Sequence, residues 1–213
     1  MKVWSFGDSW AEGAGLKPNE KRFGDYLAKF YNAQHLNKGQ SGTSLGNILE
    51  TFSKNAADIK KDDVVVIIIP PDIRWYDMEN YQFNTLFIGM KEYRRFIANK
   101  NIYWFTYHHS VFIYTLIKIC KDIDCKFILA HNYGNLEFQN CFQSLIETDY
   151  LLDSKKSLTQ LLGSNEWKDN YSESLNHDGP PSIEGKYFIK NDNHPNQSGH
   201  KLISDLIIKK LEK

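Results

Sequence analysis

Residues 64–69 read Val-Val-Val-Ile-Ile-Ile. Six β-branched side chains in a row are stiff at χ1 and suit an extended, pleated backbone. Neither face of such a strand is polar, so both faces must be covered. Asp62-Asp63 precedes the run, and Pro70-Pro71 ends it, because proline cannot continue a central ladder. A strand covered on both faces belongs inside a sheet flanked by two layers of helices.

The surrounding chain supplies those layers. Phe23, Tyr26, Leu27 and Phe30 recur at helical spacing within Arg22–Tyr31. Leu45, Ile48, Leu49, Phe52 and Ala56 do the same within Leu45–Ile59. Helical stretches are also predicted over 86–98 and 102–121, and after Asn196, a helix-capping residue type. Strands are predicted at Lys2–Phe6, Gln34–Asn37 and Lys126–Ala130, with Tyr187–Ile189 a candidate for a short last one. Strands alternating with helices imply βαβ units: a three-layer α/β/α sandwich around a mostly parallel sheet. With right-handed crossovers, the loops that follow the strands gather on one edge of that sheet. At 213 residues the whole chain, 1–213, suits one domain, with a polar insertion around 133–185 containing a helix or two over 138–152.

Composition narrows the function classes. Lys plus Arg and Asp plus Glu number 26 each, and there is no basic stripe, which argues against binding nucleic acid by phosphate neutralisation. The apolar segment 102–120 is interrupted by His108, His109 and Lys118, so it is expected as a buried or half-buried helix rather than a membrane span. Met1-Lys2 runs straight into a strand pattern with no signal-like apolar region. Cys120, Cys125 and Cys141 are odd in number and lack zinc spacing. Reduced thiols in a cytoplasmic protein are the expectation. No His/Asp/Glu cluster has ligand spacing, and no Gly-Lys-Ser/Thr follows the glycines of Gly7–Gly15. Neither a metal nor an organic cofactor is expected.

Chemistry concentrates at the two ends. Lys2–Trp10, KVWSFGDSW, is an apolar strand that breaks at Gly7 and presents Asp8 and Ser9. Ligand crevices of open α/β sheets lie at that end of the strands. At the far end, NDNHPNQSGH places Asp192 and His194 just before the last helix, with Pro195 pre-setting its start. A serine needs a neighbouring base, and the base an orienting group. All three are present in the order Ser9, Asp192, His194.

With these residues the chain resembles the SGNH hydrolases, also called GDSL-type esterases and lipases. Gly7–Ser9 resembles the first block of that family, with Trp10 where leucine is usual. Asn37–Ser44, NKGQSGTS, resembles the second block, which maps an oxyanion-binding glycine to Gly42. DNHPNQSGH resembles the last block and maps the base to His194. The resemblance implies a five-stranded parallel sheet in flavodoxin-like order. It also implies hydrolysis of a carboxylic ester through an acyl-enzyme, with the N–H groups of Ser9 and Gly42 on the oxyanion and no cofactor.

Two departures stand out. The family's third block carries an oxyanion asparagine after the third strand, and here Pro71 falls near that place. Its acid usually lies three residues before the histidine, where this chain has Asn191, with Asp192 two before. Arg74, three residues past Pro71, is the candidate substitute oxyanion donor, with an anchor for an anionic substrate group as its other role and His131 as a further donor. The expected substrate is a small-molecule or glycan ester, with a lean to short acyl groups such as O-acetyl on a carbohydrate. Aromatic loop residues such as Trp75-Tyr76 suit stacking on sugar rings. An acyltransferase, and a non-catalytic module binding a glycan or protein, are the alternatives.

Overall fold

The computed structural model describes residues 1–71, 102–133, 136, 138–163 and 185–213. Arg74, Trp75-Tyr76 and the helix predicted over 86–98 lie outside the described residues.

Among the described residues four strands form one parallel sheet: β1 (Lys2–Gly7), β2 (Gln34–Gly39), β3 (Val64–Ile69) and β4 (Lys126–His131). Their order is β2-β1-β3-β4. The helices are α1 (Ser9–Glu12), α2 (Phe23–Phe30), α3 (Leu45–Asn55), α4 (Ile102–Ile123), α5 (Asn140–Gln143), α6 (Leu158–Leu161) and α7 (Gln197–Leu211).

The period-two alternation of β3 builds the three layers. Val65, Ile67 and Ile69 join a cluster with Leu45, Ile48 and Phe52 of α3 and Ile113, Leu116 and Ile117 of α4. Val64, Val66 and Ile68 join another with Phe23 and Leu27 of α2 and Ile203 and Ile207 of α7. All six β3 side chains are fully buried, each contributing about 1.5–3 kcal/mol relative to exposure. β3 is thus the spine on which both helical layers rest.

At the edge where β3 begins, Asp63 fastens the central pair. Its carboxylate accepts from Lys2 N (2.7 Å), Trp4 Nε1 (3.0 Å) and Lys60 N (3.1 Å). Burial alone would raise its pKa, but these hydrogen bonds hold it below the ordinary aspartate value.

The expected fifth strand is not formed among the described residues. Tyr187–Ile189 makes an isolated antiparallel bridge, Phe188 to Pro195, instead of joining the sheet. Its backbone groups are spent within its own loop: Ile189 N donates to His194 O (3.0 Å) and Asn196 N to Tyr187 O (2.8 Å). Beside β4, where a fifth strand would pair, Leu151 makes one parallel bridge to Leu129. The described part of the polar insertion is anchored apolarly, with Ile146 and Leu151 in one core cluster and Leu158 and Leu162 in the other. No helix among the described residues is long and apolar enough to cross a membrane.

Candidate active site

β1 ends in a turn that only glycine fits. Gly7 has φ +148°, and a Cβ there would lie 2.8 Å from Ile68 Cβ and 2.9 Å from Ala11 Cβ. The chain therefore turns hard against β3 and straight into α1. Asp8, fully buried, caps this helix by accepting from Trp10 N (3.1 Å). Ser9 is the first residue of α1, at the edge where the strands end. Gly13, in the left-handed conformation, closes α1 by donating to Ser9 O (2.9 Å).

The loop after β2 is stitched to this turn. Gln40 N donates to Gly7 O (3.0 Å), and Thr43 Oγ1 donates to Gln40 O (3.0 Å). Ser41 N donates to Glu12 Oε2 (2.6 Å), and Ser41 Oγ binds the same oxygen. Gly42, with φ +78°, lies inside this fastened loop. Ser44 then caps α3 in a reciprocal box with Asn47. The backbone of the Gly42 loop is thus tied to both ends of the segment that carries Ser9.

After β3, Pro70 and Pro71 are buried, and neither has an N–H to offer an oxyanion. His109 of α4 is hydrogen-bonded to the Pro70 backbone, and burial pushes its pKa down to about 4, so it is neutral. His131, at the end of β4, is also buried.

The loop that carries His194 runs from Ile189 to Asn196. Asp192 N donates to Ile189 O (3.0 Å), with Asn191 at φ +60° making the turn. Asn191 is exposed there, whereas Asp192 is half-buried. Asp192 Oδ1 accepts from Asn193 N (2.6 Å) and lies 2.5 Å from His194 Nδ1. With Nδ1 turned to the carboxylate, Nε2 is the nitrogen left for a reacting group. Pro195 and Asn196 then start α7, with Asn196 Oδ1 accepting from Gly199 N (3.0 Å).

The two halves of the site meet. A Cβ on Gly15, just past α1, would lie 3.3 Å from Asp192 Oδ2 and 2.6 Å from Ile189 Cδ1. Trp10 packs edge-on against Phe188, at 6.1 Å between ring centroids. Trp10 Nε1 donates to Tyr133 Oη (2.9 Å), and Tyr133 Oη donates to Asn193 O (3.1 Å). Asn132 Nδ2 donates to Asp8 Oδ2 (2.9 Å). Sequence reasoning missed Asn132 and Tyr133, whose signal was their place directly after β4, on the edge that carries the site. Among the described residues no group of three or more His, Cys, Asp or Glu is placed to hold a metal ion.

The amino-acid sequence matches no protein-family model and no curated protein. Solved structures do match over nearly the whole chain. A G-D-S-L family protein from Desulfitobacterium hafniense is 15% identical, with 99% of each chain covered and a TM-score of 0.56. A catalytic mutant of Axe2, an acetylxylan esterase from Geobacillus stearothermophilus, is 18% identical, covering 100% of this chain and 94% of that one, with a TM-score of 0.50. The acetyl xylan esterase AlAXEase is 15% identical, with 98% of each chain covered and a TM-score of 0.53.

The fold is that of the SGNH hydrolases. Within the SGNH fold the departures of this sequence have definite places. The acid that meets His194 Nδ1 is Asp192, and Asn191 makes the turn before it. The prolines after β3 close off backbone donation there. Trp10, in place of leucine, brings a ring N–H that reaches across to the loop after β4.

Proposed function

We propose that this protein is a serine esterase with Ser9 as nucleophile, His194 as base and Asp192 as the orienting carboxylate. Ser9 Oγ attacks the acyl carbon while His194 Nε2 takes its proton and then delivers it to the leaving alcohol. Water releases the acyl group by the reverse sequence. Asp192 holds the ring tautomer and stabilises the imidazolium that forms. The N–H groups of Ser9 and Gly42 receive the oxyanion, and Arg74 supplies a further charged donor in place of the asparagine lost at Pro71. The chemistry needs no cofactor.

The observation that carries this reading is the 2.5 Å approach of Asp192 to His194 Nδ1, on a loop hydrogen-bonded through Tyr133 to the residue after Ser9. The substrate is a small-molecule or glycan ester with a short acyl group, O-acetyl on a carbohydrate being the choice. Structural likeness to two acetylxylan esterases supports it. Cys120, Cys125 and Cys141 are free thiols, which suits a cytoplasmic setting.

Steady-state hydrolysis of p-nitrophenyl esters tests the reading. The wild type is expected to cleave the acetate, with kcat/KM falling as the acyl chain lengthens, and Ser9→Ala is expected to be inactive. Equal activity of Ser9→Ala would overturn it, and a rise in kcat/KM through octanoate would overturn the short-acyl choice.

A further inference from the structure

Ser9 lies between two anchored neighbours. On one side, the two carboxylate oxygens of Asp8 accept from Trp10 N and Asn132 Nδ2. On the other, Trp10 Nε1 donates to Tyr133 Oη. The two anchors are themselves consecutive residues, directly after β4. Asn132 is held through its backbone: its N donates to Ile69 O (3.1 Å), and its O accepts from Thr159 N (3.1 Å) and Thr159 Oγ1 (2.5 Å). It is fully buried, so this amide supports the turn and does not meet substrate. Tyr133 then reaches on to Asn193 O, next to His194.

We propose that Asn132 and Tyr133 are positioning residues for the reaction, a frame that sets Ser9 and His194 relative to each other. The inference rests on the esterase reading above. Ser9 and His194 are 185 positions apart in sequence. The chain does not fix their separation, and the Tyr133 hydroxyl spans that gap as one phenol hydrogen-bonded to both sides. Trp10 in place of leucine is what makes the bridge possible, since leucine has no N–H to donate. The edge contact between Trp10 and Phe188, and the bridge from Phe188 to Pro195, press the two loops together along the same line. A displacement of about 1 Å at a reacting centre costs up to about 100-fold in rate. Losing the bridge should therefore show in kcat with little loss of binding.

The test uses Tyr133→Phe, which deletes one oxygen, Trp10→Phe, which deletes the donor, their double variant and Asn132→Leu, all on p-nitrophenyl acetate. Each single variant is expected to lower kcat about 10- to 100-fold with KM within about two-fold of wild type. The double variant is expected to be no worse than the worse single, because both remove the same bridge. Labelling of Ser9 by a serine-directed phosphonate should slow in parallel. Wild-type kcat in Tyr133→Phe, losses that multiply in the double variant, or losses confined to KM would each overturn the proposal. If one variant does not fold, the others read the same claim. Ser9→Ala in the same assay separates the two failures. Inactive Ser9→Ala with fully active Tyr133→Phe sinks only the positioning frame, whereas active Ser9→Ala sinks the esterase reading and the frame with it.

Discussion

Among the described residues two Asp–His pairs have nearly the same geometry in very different settings. His35 Nδ1 lies 2.6 Å from Asp25 Oδ1, and its Nε2 lies 2.8 Å from Ser5 Oγ. His194 Nδ1 lies 2.5 Å from Asp192 Oδ1 at the edge that carries Ser9. By residue type and distance, Asp25–His35–Ser5 is a complete relay. Ser5, however, sits in mid-strand at 0% exposure, donates to Asn37 Oδ1 (3.1 Å), and has no room for a substrate. His35 lies so close beneath α2 that a Cβ on Gly24 would come within 2.1 Å of its Nε2. Its side chain is 8% exposed, against 24% for His194. Position relative to the strand ends, more than donor–acceptor geometry, separates a structural relay from a candidate catalytic one. The inner relay ties α2, β1 and β2 together through polar groups that are paired with one another, which is what burial requires of them.

The largest contrast is expected from the serines. Ser9→Ala should abolish turnover, while Ser5→Ala should keep kcat and lower stability by about 1–3 kcal/mol, the cost of stranding buried polar partners. Activity assays and denaturant titrations on both variants measure it, and loss of kcat in a folded Ser5→Ala protein would break the contrast. The carboxylates come next. Asp192→Asn should lower kcat by roughly 10⁴-fold, and Asp25→Asn should leave kcat unchanged while lowering the unfolding midpoint. For Arg74→Ala, kcat on a neutral ester should fall by about 10²–10³ with little change in KM. A rise in KM confined to acidic substrates would instead make Arg74 an anchor.

The smallest effects concern pH. Burial pushes His109 and His200 down to about 4 from 6.5. Their folded pKa values lie below the unfolded ones, so the stability they contribute is full above about pH 6.5 and is lost as pH falls towards 4. Asp25 and Asp63 act lower still. Burial opposes ionisation of each, yet hydrogen bonds win, from His35 and Arg22 N for one and from Trp4, Lys60 and Lys2 for the other. Their contribution is present above the ordinary aspartate range and is lost below it. Denaturant midpoints followed from pH 7 to pH 3 should show both falls, and His200→Gln should flatten the upper one. A midpoint that is level between pH 6.5 and pH 4 would contradict the upper assignment.

How far the sequence reveals the molecule depends on how local the physics is. β3, α3 and α7 were legible because β-branched runs, helical periodicity and caps are local signals. α1 was not: four residues are too few to show a period, and the helix stands because Asp8 caps it and the Gly7 turn aims it. Tyr187–Ile189 has the composition of a strand, but its backbone groups find partners within nine residues and never reach the sheet. Ser9, Asp192 and His194 stand out in the sequence as candidates by type and order, and the structure sets Asp192 Oδ1 against His194 Nδ1. Asn132 and Tyr133 act on partners 60 to 124 positions away, and no short-range pattern announces that.

The central claim is that Ser9, activated by His194, is the nucleophile, and that the inner relay is not a second one. Incubation with a serine-directed phosphonate, followed by peptide mass mapping of wild type, His194→Ala and His35→Ala, tests it directly. The expected result is a single adduct on the peptide carrying Ser9, lost in His194→Ala and kept in a folded His35→Ala protein. Because Ser5 and Ser9 share the peptide Val3–Lys21 after trypsin, fragment ions must place the adduct beyond Gly7. An adduct at Ser5, on another serine, or formed equally well in His194→Ala would contradict the claim.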